Sequence, residues 1–97
     1  MLKFAVFVSG GGTDLQSIID AKNEGKINGK IALVLSNRQK AYGLQRAKDA
    51  GIETAVVKKD DALIVKMLKE RNIDFIVLAG YLAILTDELI DAYPNKI

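Results

Sequence analysis

Four short apolar runs, at residues 3–8, 31–35, 53–57 and 75–79, alternate along the chain with stretches whose apolar residues recur at helical spacing. That alternation is the strongest constraint on what the chain can become. A run of roughly four to eight apolar residues rich in Val, Ile and Phe reads as a strand buried on both faces. Strands separated by helices pair in parallel, because each helix carries the chain back to the edge where the next strand begins. Between the runs, Leu15, Ile18 and Ile19 mark one side of a first helix, and Leu44 with Ala47 one side of a second over 41–50. Leu63, Ile64, Met67 and Leu68 mark the buried side of a third over 61–71. Gly25 and Gly51 stand where the first two helices should stop, and Asp60 where the third should be capped. Thr86, followed by Asp87 and Glu88, opens a fourth helix that Pro94 closes. The predicted architecture is α/β: a doubly wound parallel sheet, built as a half-domain of about four strands and four helices. Asn95, Lys96 and Ile97 then read as the first step of a further strand, so the chain is expected to be the front part of a longer protein.

Composition narrows the function classes. At 97 residues, 49% apolar and 27% charged, the chain is expected to form one ordinary globular domain. A net charge of +2, with no basic block, gives nucleic acid no footprint. The absence of cysteine removes any disulfide framework or thiolate metal site, and the absence of histidine removes the commonest metal ligand and neutral-pH proton shuttle. No metal is expected. The longest nearly unbroken apolar stretch, 75–85, is far shorter than the roughly 20 residues that cross a bilayer. A cytoplasmic protein with no membrane partner is the expectation.

The segment SGGGT at 9–13 lies between the first strand and the first helix. In a doubly wound sheet, ligands bind outside the carboxyl ends of the strands, and this turn lies there. Glycines let a ligand approach main-chain N–H groups, which together with the helix dipole favour an anion such as phosphate. A plainer reading is also open: Thr13 and Gln16 fit a capping box, and the glycines could simply make the turn. The dinucleotide fingerprint lacks its third glycine, because Leu15 stands there, and Ser36, Asn37 and Arg38 replace the acid expected after the second strand. Arg38 suits a 2′-phosphate, which keeps an NADP-binding fragment as an alternative. A P-loop is excluded, since no Lys-Ser/Thr pair follows the glycines.

SGGGTDLQSIID at 9–20, SNRQKAYGLQRAKDAGI at 36–52 and VLAGYLAIL at 77–85, in this order and spacing, resemble the phosphoribosylglycinamide formyltransferase family. The resemblance runs the length of the chain but covers only the N-terminal part of the family's usual length. It implies transfer of a formyl group from 10-formyltetrahydrofolate to 5-phosphoribosylglycinamide in purine biosynthesis, and a strand order of three-two-one-four. The positions matching Gly12, Thr13 and Asp14 would hold the substrate phosphate through backbone N–H groups and the Thr13 hydroxyl. Leu82, Ala83, Ile84 and Leu85 would offer main-chain groups to the pterin edge of the folate. Gly10, Gly11, Gly80 and Tyr81 would flank these pockets.

Departures from the family pattern shape the expectation. Asp14 stands where the family commonly has asparagine; a carboxylate about 6 Å from a phosphate costs roughly 3 kcal/mol per charge pair at an effective dielectric near 20. Its side chain is therefore expected to face away, leaving its N–H in the site. Ala83 replaces a frequent basic residue, and the stretch 58–62 is shorter than in many relatives. The family's catalytic asparagine, histidine and aspartate lie past the end of this stretch. Asp60, Asp61, Asp74, Asp87 and Glu88 read as caps or exposed loop residues, so no catalytic residue is assigned and the stretch by itself is expected to be inactive. Two other readings stand beside this one: a non-catalytic phosphosugar- or nucleotide-binding module, and the NADP-binding fragment. An unpaired outer edge on the strand at 74–79 is expected to promote self-association through that edge or through 81–85.

Overall fold

The computed structural model describes residues 1–97. Its elements follow in the order β1 (Lys3–Val8), α1 (Thr13–Asn23), β2 (Lys30–Ser36), α2 (Tyr42–Asp49), β3 (Thr54–Val56), α3 (Asp61–Glu70), β4 (Phe75–Leu78) and α4 (Asp87–Ala92). The strands form one parallel sheet in the order β3-β2-β1-β4. Strand order and element order match the doubly wound expectation.

Two cores, one on each face of the sheet, explain why β1 is apolar at every step. Phe4, Val6 and Val8 point to one face and pack with Leu15 and Ile19 of α1 and Leu44 and Ala47 of α2. Ala5 and Phe7 point to the other and pack with Ile64 and Leu68 of α3 and Leu89 of α4. A strand with helices on both sides cannot alternate polar and apolar residues. In β2 the register shifts between Phe4 and Ala5, whose partners are Ile31 and Leu33, so Ala32 is an extra residue. That bulge reverses the parity of β2, letting Ile31 and Val34 share one core while Leu33 and Leu35 enter the other.

Local signals at the helix ends act as the sequence indicates, except at the start of α1. Asp60 caps α3 by accepting from the Leu63 N–H at 3.1 Å. Gly25 and Gly51 follow α1 and α2 with positive φ. α4 ends at Ala92, two residues ahead of Pro94. The capping box of α1 is a correction. Gly12, not Thr13, is the N-cap, and it makes no side-chain cap bond. Gln16 instead donates to Asp20 at 2.9 Å and accepts from Arg46 at 3.3 Å. In α3, Leu63 is 41% exposed, while Ile64 and Leu68 are buried and Met67 packs at the margin, so the buried stripe is narrower than the spacing suggests.

The outer edge of β4, expected to lack any partner, is met at one point by the end of the chain. The Ile76 N–H donates to the Lys96 carbonyl at 2.8 Å, so Asn95–Ile97 runs alongside β4 without becoming a strand. No helix is long and apolar enough to cross a membrane.

Candidate functional site

The carboxyl ends of β1, β2 and β4 converge on one rim, and a single hydroxyl ties their loops together. Ser9, 1% exposed, donates to Asn37 Oδ1 at 2.6 Å and accepts from the Leu82 N–H at 2.8 Å. One buried side chain thus joins the loop after β1 to those after β2 and β4. Ser36, also fully buried, holds the next turn: its Oγ accepts from the Arg38 N–H and donates to the Arg38 carbonyl, both at 3.0 Å. These two serines are the first polar residues after apolar strands, and that position is the signal sequence reasoning passed over.

The glycine turn has two different kinds of glycine. Gly12 sits at φ +76°, and a Cβ there would lie 2.5 Å from the Gly43 Cα. Here the turn and the start of α2 touch backbone to backbone, a contact only glycine permits. Gly10 and Gly11 have no such neighbour and no positive φ. They border a hollow of about 360 Å³ with Ser9, Arg38, Lys40, Ala41 and Tyr42, a lining with two cations and no acid.

Peptide geometry fixes which way the turn's N–H groups point. The Gly10 carbonyl accepts from Gly43 N at 3.0 Å, the Gly11 carbonyl from Arg46 Nε at 2.7 Å, and the Gly12 carbonyl from Gln16 N at 2.8 Å. In a trans peptide the next residue's N–H points opposite to the carbonyl. The N–H groups of Gly11, Gly12 and Thr13 are therefore turned away from α2 and from the body of α1. Thr13 and Asp14 are exposed in the first turn of α1, where the helix dipole itself favours the Asp14 carboxylate.

On the other side of Ser9, Gly80 at φ +74° turns the chain after β4. Tyr81 lays its ring edge-on against Phe7 at 5.2 Å between centroids. Burial, and after it the charge of Asp61, pushes the Tyr81 phenol above its ordinary pKa. Tyr81, Leu82, Ala83 and Ile84 line a cavity of about 430 Å³ with Asn37, Lys58, Lys59 and Asp61. Leu85 turns the other way and packs against the core beneath α3 and α4. Ile84 is 92% exposed and Leu82 72%, large apolar side chains held in the open. Within the chain, the N–H and carbonyl groups of Ala83, Ile84 and Leu85 have no hydrogen-bond partner, whereas the Leu82 N–H is committed to Ser9.

Of the carboxylates read as caps or loop residues, Asp61 does more. Its Oδ2 accepts from the Thr86 N–H at 3.0 Å and from the Thr86 hydroxyl at 2.6 Å, fixing the start of α4 to the start of α3 at the cavity edge. Asp74 accepts from the Lys3 N–H at 2.7 Å, on the opposite end of the sheet. Asp87 and Glu88 are exposed in the first turn of α4. Asn37, Lys58 and Lys59 were not singled out by spacing; only the fold brings them to Tyr81.

Comparison with known proteins identifies the family and the fold. The family described as formyl transferase matches residues 2–97. The chain is 47% identical over 106 aligned residues to the phosphoribosylglycinamide formyltransferase of Haemophilus influenzae, an alignment covering 100% of this chain and 50% of that protein. To the chloroplastic phosphoribosylglycinamide formyltransferase of Arabidopsis thaliana it is 36% identical, over 98% of this chain and 36% of that one. Among solved structures, glycinamide ribonucleotide transformylase 1 of Geobacillus kaustophilus superposes with a TM-score of 0.94 at 35% identity, over 99% of this chain and 55% of that one. Glycinamide ribonucleotide transformylase 1 of Symbiobacterium toebii superposes at 0.93 and 36% identity, over 99% of this chain and 49% of that one. The chain thus spans about half the length of the bacterial relatives it matches. By sequence match and by the course of its backbone, the chain belongs to the formyl transferase family.

Proposed function

We propose that residues 1–97 form the phosphate-facing and folate-facing walls of a phosphoribosylglycinamide formyltransferase. In this reading the turn at Gly12, Thr13 and Asp14 holds the phosphate of 5-phosphoribosylglycinamide, with Gly10 and Gly11 beside it. The stretch Leu82–Leu85 faces the pterin of 10-formyltetrahydrofolate, with Gly80 and Tyr81 beside it. The observation that carries the proposal is the pair of unpartnered main-chain runs on one rim, joined through Ser9. Outward N–H groups at a helix N-terminus suit a dianion. Free N–H and carbonyl groups at 83–85, next to exposed Leu82 and Ile84, suit a flat heterocycle with a donor–acceptor edge. The Leu82 N–H is not among the groups offered, since Ser9 already takes it.

The folate would supply the formyl group; a C–N bond forms at the amine, another breaks at the donor nitrogen, and one proton passes from the first to the second. This stretch positions both reactants and keeps them adjacent, an effect worth up to ~7–11 kcal/mol when the geometry is complete. No side chain here is assigned to the proton. Asp61 is engaged by Thr86, Asp60 caps α3, and the remaining acids lie away from the rim or on helix surfaces. The groups that move the proton belong, in this reading, outside residues 1–97.

The test is amide NMR of the chain titrated separately with ribose 5-phosphate and with folinic acid. The sugar phosphate is expected to shift Gly11, Gly12, Thr13 and Asp14 first, and the folate Ala83, Ile84 and Leu85. Unchanged signals at both segments at tens of millimolar ligand would remove the proposal.

A further inference from the structure

Arg46 lies on α2, outside both candidate pockets' main-chain walls, yet it is bonded to the turn proposed to hold phosphate. Its Nε donates to the Gly11 carbonyl at 2.7 Å, and its Nη1 donates to Gln16 Oε1 at 3.3 Å. The guanidinium rests over the Tyr42 ring, 5.0 Å from the centroid, a cation–π contact that helps to hold it beside the turn. No acid competes for it: its hydrogen bonds go to a carbonyl and an amide, and neither ion pair of the chain includes it.

We infer that Arg46 is the positioning residue of the phosphate turn, setting the direction and strength of the Gly12 N–H from behind. The inference rests on the phosphate assignment above. The Gly11 carbonyl and the Gly12 N–H belong to one planar peptide, so pulling the carbonyl toward α2 aims the N–H at the anion. The same bond polarises the peptide. A cation on the carbonyl oxygen draws electron density from the nitrogen, which makes the N–H a better donor at the far end, as in any chain of cooperative hydrogen bonds. The Gln16 contact extends the arrangement to the first turn of α1, where the Thr13 and Asp14 N–H groups stand. An arginine is suited to this in a way lysine is not, because only a planar fork serves the carbonyl and the amide together.

The experiment compares wild type with Arg46→Met, which keeps the stem but no donor, Arg46→Lys, which keeps the charge but not the fork, and Gln16→Met, which removes only the second tether. Each chain is titrated with ribose 5-phosphate and with folinic acid by amide NMR, and its Tm is recorded. Arg46→Met is expected to weaken ribose 5-phosphate binding roughly three- to tenfold, the effect of one peptide hydrogen bond. It should also move the ligand-free Gly12 amide proton upfield, as a less polarised donor. Folinic acid affinity should hold. Arg46→Lys should recover part of the loss, and Gln16→Met should show a smaller one. If wild type responds to ribose 5-phosphate at the turn but Arg46→Met binds it equally well with an unmoved Gly12 signal, the inference falls and the phosphate assignment stands. Equal weakening of both ligands would assign Arg46 to packing and overturn it too. A wild-type turn that ignores ribose 5-phosphate would overturn both.

Discussion

Replacing each of the three turn glycines by alanine separates the glycine that the fold needs from those that a ligand would need. At Gly12 the new methyl meets two obstacles. The backbone stands at φ +76°, a left-handed conformation that costs an L-residue about 1–2 kcal/mol. The methyl would also lie 2.5 Å from the Gly43 Cα and 3.3 Å from its nitrogen, and neither is a flexible side-chain tip. Relief requires moving the first turn of α2, which is held by the bond from Gly43 N to Gly10 O at 3.0 Å, and overpacking of this kind costs about 1–3 kcal/mol. The sum, about 2–5 kcal/mol, is a large part of the roughly 5–15 kcal/mol that holds a typical domain folded. For a domain of this size it corresponds to a Tm lowered by at least about 8 °C. Gly10→Ala and Gly11→Ala meet open space at ordinary φ and should melt within a few degrees of wild type, or slightly above it through a less flexible unfolded chain. Their effect should fall on ribose 5-phosphate binding, because both line the hollow beside the outward N–H groups. Calorimetry on the three variants reads the stability, and NMR titration reads the binding. A Gly12→Ala chain that melts with the wild type would refute the backbone contact and the division drawn from it.

Ser9→Ala should leave the Leu82 N–H and the Asn37 Oδ1 without their partner, a loss of about 1–3 kcal/mol visible in urea unfolding. Hydrogen exchange at Leu82 should speed up before the global transition; an unchanged rate there would show that the loop after β4 is held by something else. The Glu53–Arg71 pair gives a pH dependence of known sign. Arg71 Nε donates to Glu53 at 3.0 Å, and that hydrogen bond holds the Glu53 carboxyl below its ordinary value. A depressed folded-state pKa adds stability above the usual glutamate range, and the gain fades as pH falls through and below that range. Because Glu53 is half-exposed, the ion pair adds well under 1 kcal/mol, so Arg71→Met should cost slightly more at neutral pH than in acid, where only the bond to the Met67 carbonyl is lost. Equal losses at both pH values would assign the effect to the arginine stem.

What could be read from the sequence depended on how far apart the interacting residues lie. The Asp60 cap and the stop at Gly51 involve neighbours a few residues away, and both stand as the local pattern indicates. The strands were legible because β1 and β2 lie inside the sheet with helices on both faces, where nearly every residue is apolar. Thr13 and Gln16 misled because the group that accounts for Gln16, Arg46, is 30 residues further on. Gly12 carried the same difficulty, since its reason is Gly43 on another helix. Ser9 was marked only by its place after an apolar run; its partners stand 28 and 73 residues away, and no local pattern names them. Leu63 was placed inside by spacing alone, but α3 presents a narrower face to the sheet than its apolar residues would fill.

The division of the interior into two cores has a consequence for how such a protein can change over time. The glycine turn is built on the layer of α1 and α2, while the stretch from Tyr81 to Leu85 is built on the layer of α3 and α4. The sheet stands between them, and Ser9 joins their rims. Repacking on one layer reaches the other only through the strands of the sheet and that hydroxyl. Substitutions beneath the glycine turn can therefore accumulate without disturbing the stretch 81–85, and the reverse holds equally. Under the proposed function the two ligand preferences would be separately heritable traits, and a chimaera that exchanges residues 57–97 with those of a relative should take its response to folinic acid from one parent and its response to ribose 5-phosphate from the other.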